Sequence, residues 1–380
     1  MYISRLRLVN WRNFKAVDVP LEERMFVVGP NASGKSNLLD VFRFLKDIAK
    51  PDGGLQKAVM KRGDLSKIRN LSTRKSSQVE IEVGLTDPKT KTQWLYELHL
   101  VQKKNGADQF EISKERVVKN NDVILDRPDS KDKDDSVRLT QTSLEQVMAN
   151  KEFREIAEHF STISYIHLVP QLIRYSNAFP GPGVEEDPFG QRFMERVAKT
   201  RGKIRQKRLK KIEDAMRIVV PQLKYLKDIK DEMGTPHLEV SCHHWQPHAG
   251  SQREDQFSDG MLRLVGLLWS LLETETLLLL EEPELSLHDS VVEKLPPLMV
   301  RLKKKKSQVF VSTHSQTMLV DRGIGGEEIL MLMPGKEGTS VQLASNLKDV
   351  RILLESGMNP ADAVIPGTAP EYIHQLGILK

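Results

Sequence analysis

Cysteine occurs once in the 380 residues, as Cys242, so no disulfide can close within the chain and a reducing compartment suits it. No apolar run approaches the ~20 residues that span a bilayer. The longest candidate, around Leu277–Leu280, stops at Glu281 and Glu282. Met1-Tyr2-Ile3-Ser4-Arg5 opens directly into strand-like alternation and lacks the apolar centre of a signal peptide. No repeat of fixed period is visible. These absences exclude a disulfide scaffold, a membrane-spanning chain and a repeat array, and they predict a cytoplasmic protein with no membrane partner. What remains is an ordinary globular composition, 39% hydrophobic and 29% charged, long enough for two or three lobes.

The most specific signal is Gly29-Pro30-Asn31-Ala32-Ser33-Gly34-Lys35-Ser36, which fits G-x-x-x-x-G-K-[ST] at every fixed position. The apolar run Met25–Val28 before it reads as a buried strand, and Asn37–Phe42 after it continues as a helix. Glycines let the backbone amides curl around an anion, and the helix N-terminus adds partial positive charge. The motif therefore predicts a nucleoside triphosphate site, with Lys35 on the β- and γ-phosphates and Ser36 on Mg²⁺. Further on, the apolar strand Thr276–Leu280 ends in Glu281-Glu282. A triphosphatase needs such a pair, one acid holding Mg²⁺ through water and the next orienting the attacking water. Glu281 takes the metal role and Glu282 the base role in this reading.

Along the chain, strand signals occur at Ile3–Val9, Val17–Pro20 and Met25–Val28, then a helix runs to about Ile48 and stops at Pro51-Asp52-Gly53-Gly54. Val79–Val83, Leu95–Val101 and Phe110–Val118 alternate with period two and suggest an antiparallel meander. Asp126–Ser136 has no apolar periodicity and reads as an exposed, mobile loop. Helical patterning at about Leu144–Phe160 precedes a strand-like stretch, Ile163–Val169. The break Phe179–Gly183 precedes a long basic helix, about Pro188–Val219. Leu223–Ile229 and His237–Ser241 read as strands, and from Phe257 an α/β pattern resumes with buried strands at Leu277–Leu280 and Val309–Ser312. The expected division is an N-terminal nucleotide-binding lobe over 1–125, a helical insertion over 126–245, and a C-terminal lobe over 246–380.

Net charge is +5, but Arg196–Lys211 alone carries nine Lys or Arg and no acid. It reads as a solvated helix face, as a track for nucleic-acid phosphates, or as a surface for an acidic protein partner. Cys242-His243-His244 with His248 matches no zinc spacing, and adjacent histidines on a strand point to opposite faces.

Glu281-Glu282-Pro283-Glu284 followed by Leu287-His288 resembles the Walker B and D-loop region of ABC-type ATPase heads. Val311–Ser315 resembles their switch segment, and Phe257-Ser258-Asp259-Gly260-Met261-Leu262-Arg263 resembles a signature motif of the form S-D-G-x-x-R. Together with the opening Leu8–Phe14, the chain is most similar to the OLD/AAA15/AAA21-like group, distantly related to SMC and RecF ATPases. The resemblance covers about Met1–Val83 and Ser251–Val320. It departs in having Glu281 where Asp is commoner, and in lacking both the transporter-type signature and a clear Gln-containing loop.

The resemblance implies an α/β fold, an ABC-type P-loop head with an antiparallel β lobe and a helical, basic insertion. It implies ATP and Mg²⁺ as cofactors, and binding by Gly29 through Asn37. His314 would sense the γ-phosphate, and Gln171 would occupy the lobe-connecting position near the metal. Ser258, Asp259 and Gly260 would face the γ-phosphate of an opposing subunit, giving a homodimer with ATP between two chains. OLD-like proteins often carry a C-terminal nuclease; only 66 residues follow His314 here, so the expected effector is a separate protein. The leading expectation is an ATPase subunit that gates a nuclease in prokaryotic antiviral or foreign-DNA defence. The alternative is a RecF- or SMC-like DNA-binding ATPase of repair or recombination, with DNA on Arg196–Lys211.

Overall fold

The computed structural model describes residues 1–70, 78–102, 110–176, 186–243 and 250–368. The chain forms two compact units, each discontinuous in sequence. The first comprises Met1–Ser164, Glu275–Leu279 and Lys305–Lys380, and the second comprises Tyr165–Thr274 and Leu280–Lys304.

Two sheets organise the first unit. One is wholly antiparallel, in the order Phe14–Pro20, Tyr2–Trp11, Val79–Thr86, Gln93–Gln102, Phe110–Lys119, Asp122–Arg127. Its period-two patterning buries alternate side chains, as along Val79–Thr86, where Val79, Ile81, Val83 and Leu85 are inward. The other sheet runs in the order Gly338–Leu343, Ile329–Gly335, Arg24–Val28, Gln308–Thr313, Leu277–Glu281, Ser164–Ile166. Arg24–Val28 pairs in parallel with both Gln308–Thr313 and Ile329–Gly335; the first two are buried throughout, hence the apolar runs Met25–Val28 and Val309–Val311 within them.

The helix Lys35–Ala49 packs Leu38, Leu39, Val41, Phe42, Leu45 and Ile48 inward. Phe42 meets Phe310 edge-on at 5.4 Å, and Phe44 meets Trp11 at the same distance. The helix ends because Lys50, which precedes Pro51, is forced into extended backbone. Arg62, from beyond the next short helix, ties back to it through Asp40 at 2.8 Å and Asp47 at 2.9 Å. Burial pushes the Asp40 carboxyl up, but Arg62 and Arg12 outweigh it and hold it below its ordinary value.

Three expectations change. Asp126–Ser136 is built around a buried network: Arg127 donates to Asp132 at 2.8 Å and Glu115 at 2.9 Å, and all three side chains are at most 3% exposed. Glu115 also accepts from the Ser143 amide and the Tyr96 hydroxyl. Burial raises the Glu115 carboxyl pKa, with Ser143 and Arg127 opposing. Between Leu144 and Phe160 only Arg154–Ser161 is helical, the preceding residues forming turns. The basic helix is two helices, Phe193–Lys199 and Gly202–Val219, because Thr200 and Arg201 are extended and Arg205 caps the first by donating to the Ala198 and Thr200 carbonyls. Phe179–Gly183 lies outside the described residues.

In the second unit the helix Asp259–Glu273 is apolar almost all round and buried from Leu262 to Leu272. Gly266 is needed where it crosses Leu168, since a Cβ there would lie 2.7 Å from Leu168 Cδ1. A three-stranded antiparallel sheet, in the order Gln252–Arg253, Pro236–Cys242, Leu223–Lys230, also belongs to this unit.

Removing the Arg127 guanidinium would strand two buried carboxylates. Arg127→Met is expected to lower the unfolding free energy by about 3–5 kcal/mol in urea titration. A loss below about 1 kcal/mol, the scale of a surface pair, would contradict a structural role for this network.

Candidate nucleotide site

In the first unit the phosphate-type loop leaves the strand Arg24–Val28 and ends on the helix that begins at Lys35. Gly34 has φ 97°, a left-handed backbone, and a Cβ there would lie 2.1 Å from the Asn13 side chain. A Cβ on Gly29 would lie 2.8 Å from the Leu332 carbonyl oxygen. Ala32 is also left-handed, with φ 62°. Asn13 holds the loop from outside. Its Nδ2 donates to the Ser33 carbonyl and Thr339 Oγ1, and its Oδ1 accepts from Asn37 Nδ2, each at 2.8 Å. Trp11 Nε1 donates to the Asn37 carbonyl at 2.9 Å.

The Lys35 ammonium is held across the loop by the carbonyls of Gly29 at 2.8 Å and Pro30 at 3.1 Å. Ser33 is fully buried, and its Oγ has no hydrogen-bond partner among the described residues. The helix N-terminus at Lys35 has no side-chain cap. An orphan hydroxyl, uncapped amides and two glycines with no room for a Cβ fit a multi-oxygen anion. Asn31, Ala32 and Ser36 are exposed around it. Thr313 is register partner of Val28, so His314 leaves its strand at the same edge from which the loop leaves, and it is exposed. Ser312 beneath it is fully buried, and its Oγ is unpartnered among the described residues.

In the second unit Glu281 ends its strand and Glu282 follows in left-handed backbone, φ 45°, a conformation that costs a non-glycine residue free energy and concentrates at functional sites. The Tyr165 hydroxyl donates to Glu281 Oε2, and His167 Nδ1 lies 3.9 Å from the same oxygen. Neither residue belongs to a motif; the only sequence signal is Tyr165-Ile166-His167, whose alternation puts both polar tips on one face. The Ser258 hydroxyl caps the helix Asp259–Glu273, accepting from the Met261 amide at 3.3 Å. Arg174 Nη2 donates to Asp259 at 2.6 Å, and Gln171 Nε2 donates to its other oxygen at 2.9 Å. The structure thus places Gln171 on the signature turn. A Cβ on Gly260 would lie 2.7 Å from the Ser286 carbonyl oxygen, so the turn and the segment after Glu282 are in close contact.

Arg263 is 5% exposed, and its Nη1 points to the Glu282 carbonyl at 3.4 Å. Burial lowers its pKa, against the pull of Glu284, Asp259 and Glu282. The signature helix therefore meets the Glu282 backbone through Arg263 and packs against Ser286 at Gly260. Among the described residues no three His, Cys, Asp or Glu are placed to hold a metal, and His244 and His248 lie outside those residues. Among the described residues no helix is long and apolar enough to cross a membrane.

Solved structures share this architecture. The chain aligns with an SMC head bound to the C-winged helix domain of ScpA at a TM-score of 0.53 and 14% identity, over 90% of this chain and 97% of that one. It aligns with an SMC head domain with an extended coiled coil, bound to the C-terminal domain of ScpA derived from Pyrococcus furiosus, at 0.52 and 14%, over 94% and 99%. The fold is thus α/β, that of an ABC-type ATPase head. The DNA replication and repair protein RecF of Agrobacterium fabrum is 44% identical over 59 residues, 15% of each chain. That of Acaryochloris marina is 31% identical over 87 residues, 22% of this chain and 23% of its own. The chain thus spans under a quarter of the curated relatives it matches. The family described as "AAA domain, putative AbiEii toxin, Type IV TA system" matches residues 24–321, most of the sequence, and the chain belongs to that family of AAA/ABC-type ATPases.

Proposed function

We propose that this chain is an ATP-binding and hydrolysing switch subunit. It closes as a homodimer on ATP and gates a separate effector, a nuclease, in prokaryotic defence against phage or other foreign DNA. The observation that carries the reading is the contact of Arg263, on the signature helix, with the Glu282 carbonyl, beside the close approach of Gly260 to Ser286. A hydrolytic acid fixed to the helix that presents the signature turn links turnover to the position of that helix. The family's description as part of a toxin–antitoxin system supports a defence role.

In this mechanism Lys35 and the backbone N–H groups of Gly29–Asn37, Pro30 having none, bind the β- and γ-phosphates, and Ser36 and Glu281 are the residues that would hold Mg²⁺. Bound Mg²⁺ supplies charge neutralisation at the phosphate oxygens. Tyr165 and His167 orient the Glu281 carboxylate, and Gln171 acts through Asp259. Glu282 orients the attacking water and takes its proton. His314 donates to the terminal phosphate. Ser258 and Gly260 offer a hydroxyl and a helix N-terminus to the nucleotide of the opposing chain, while Arg174 and Gln171 keep Asp259 turned aside.

A second reading, a RecF- or SMC-like DNA-binding ATPase, draws on the basic helix. Arg196 and Arg208 pair with Glu273, both at 3.3 Å, and Arg205 pairs with Asp228 at 2.9 Å. Those three serve the fold rather than a ligand. Arg201, Lys203, Lys207 and Lys211 are exposed, without an ion-pair partner among the described residues. Lys203, Lys207 and Lys211 recur every fourth residue along one helix face, about 6 Å apart along the axis. This stripe is the natural phosphate track.

Lys35→Ala should abolish binding of a fluorescent ATP analogue. Glu282→Gln should retain binding, lower turnover by about a hundredfold or more and accumulate an ATP-dependent dimer by size exclusion. Normal turnover in Glu282→Gln would remove that residue from the base role.

Neutralising Arg201, Lys203, Lys207 and Lys211 together should weaken duplex DNA binding and reduce the slope of log affinity against log salt by about three to four. An unchanged slope would exclude the stripe as a DNA track.

A further inference from the structure

The second unit holds a groove of about 740 Å³ that touches the nucleotide motifs only at His288 of the D-loop-like segment. Its floor is Leu264 and Leu268 of the signature helix, with Val291 and Leu298 alongside. Its lip is Ile218 and Val219, at the C-terminal end of the basic helix, which are 83% and 41% exposed. Aliphatic side chains this exposed beside an apolar trough mark an interaction surface rather than a core edge. Three helices bound the groove, Gly202–Val219, Asp259–Glu273 and Leu295–Leu302, a shape suited to an amphipathic helix laid along it.

The charge of the lining is one-sided. Among the described residues His288, Lys294 and Arg301 line it, and no Asp or Glu does. Arg301 is exposed and has no ion-pair partner among the described residues. Lys294 stands 4.0 Å from Glu293 in a largely exposed pair of little energetic weight. His288 Nδ1 accepts from the Ser290 amide and caps the short helix that carries Val291.

We infer that this groove docks an amphipathic helix of the effector, with aliphatic side chains on the floor and Asp or Glu against Lys294 and Arg301. The inference rests on the reading that a separate effector exists, and it names the surface that effector uses. It also supplies a route of coupling. Leu264 and Leu268 lie on the helix whose first turn is Ser258–Gly260, and Val291 follows the segment in which Ser286 abuts Gly260. A helix in the groove touches both the signature helix that contacts Glu282 and the segment that follows it, so each state of the signature helix offers it a different floor.

Two fluorescein-labelled helical peptides test this on the full chain. Both carry the same Leu stripe at i, i+3, i+4 and i+7, one flanked by Glu and the other by Lys. Fluorescence anisotropy should show the Glu peptide binding at least about tenfold more tightly, and Ile218→Glu and Arg301→Glu should each weaken it by about tenfold or more. Both substitutions lie outside the nucleotide motifs and should leave ATP binding unchanged. Equal affinity for the two peptides, no binding of either, or indifference to both substitutions overturns the inference. Self-association in sedimentation velocity that Ile218→Glu abolishes also overturns it, by making a second copy the occupant. Peptide binding by a chain that fails to hydrolyse ATP would sink the switch reading alone, whereas intact ATPase without peptide binding would sink the groove alone.

Discussion

The phosphate-binding loop keeps its shape because of a side chain that lies outside it. Asn13 shares one amide among the Ser33 carbonyl, the Thr339 hydroxyl and the Asn37 side chain. That amide fills the space a Cβ on Gly34 would need. The left-handed turn at Gly34 leaves the first amides of the following helix uncapped and Ser33 Oγ unanswered, which is what an anion site requires. The turn is thus fixed from the hairpin Tyr2–Pro20 and the strand Gly338–Leu343, at opposite ends of the sequence. A loop held this way is preorganised and does not wait for ligand to shape it.

The second unit solves a comparable problem at the signature turn. Ser258 caps its own helix, Arg174 and Gln171 take both oxygens of Asp259, and Ser286 leaves space only for glycine at position 260. Arg263, desolvated beneath, reaches the carbonyl of Glu282, which stands in a backbone conformation that a non-glycine residue adopts only when its surroundings impose it. The catalytic candidates are thus held by packing and backbone contacts to a helix that is itself almost wholly buried. Displacing that helix displaces Glu282.

Much of this was legible in the sequence. Strands buried on both faces, such as Arg24–Val28 and Gln308–Thr313, declare themselves as apolar runs, and the glycines and lysine of the loop have spacings that the chemistry dictates. What stayed hidden were residues whose meaning depends on a distant partner. Asp132 sits in a highly charged stretch and reads as solvated, yet it is buried because Arg127 meets it. The nine basic residues of Arg196–Lys211 look equivalent in sequence, but Glu273 and Asp228, far along the chain or across a turn, claim three of them. Tyr165 and His167 carry no motif and gain significance only because their strand brings them to Glu281. Helix ends differ from the sequence pattern where capping overrides local propensity, as at Thr200.

The central claim is that one catalytic site draws on two chains, the phosphate loop from one and the signature serine from the other. Mixing Lys35→Ala protein with Ser258→Arg protein tests it most directly, because each is expected to be inactive alone. In mixed dimers one site regains an intact loop and an intact signature, so steady-state ATP turnover of an equimolar mixture should recover to about a quarter of the unsubstituted rate. A mixture that stays as inactive as its components, or a Ser258→Arg protein that is fully active alone, would contradict the shared site.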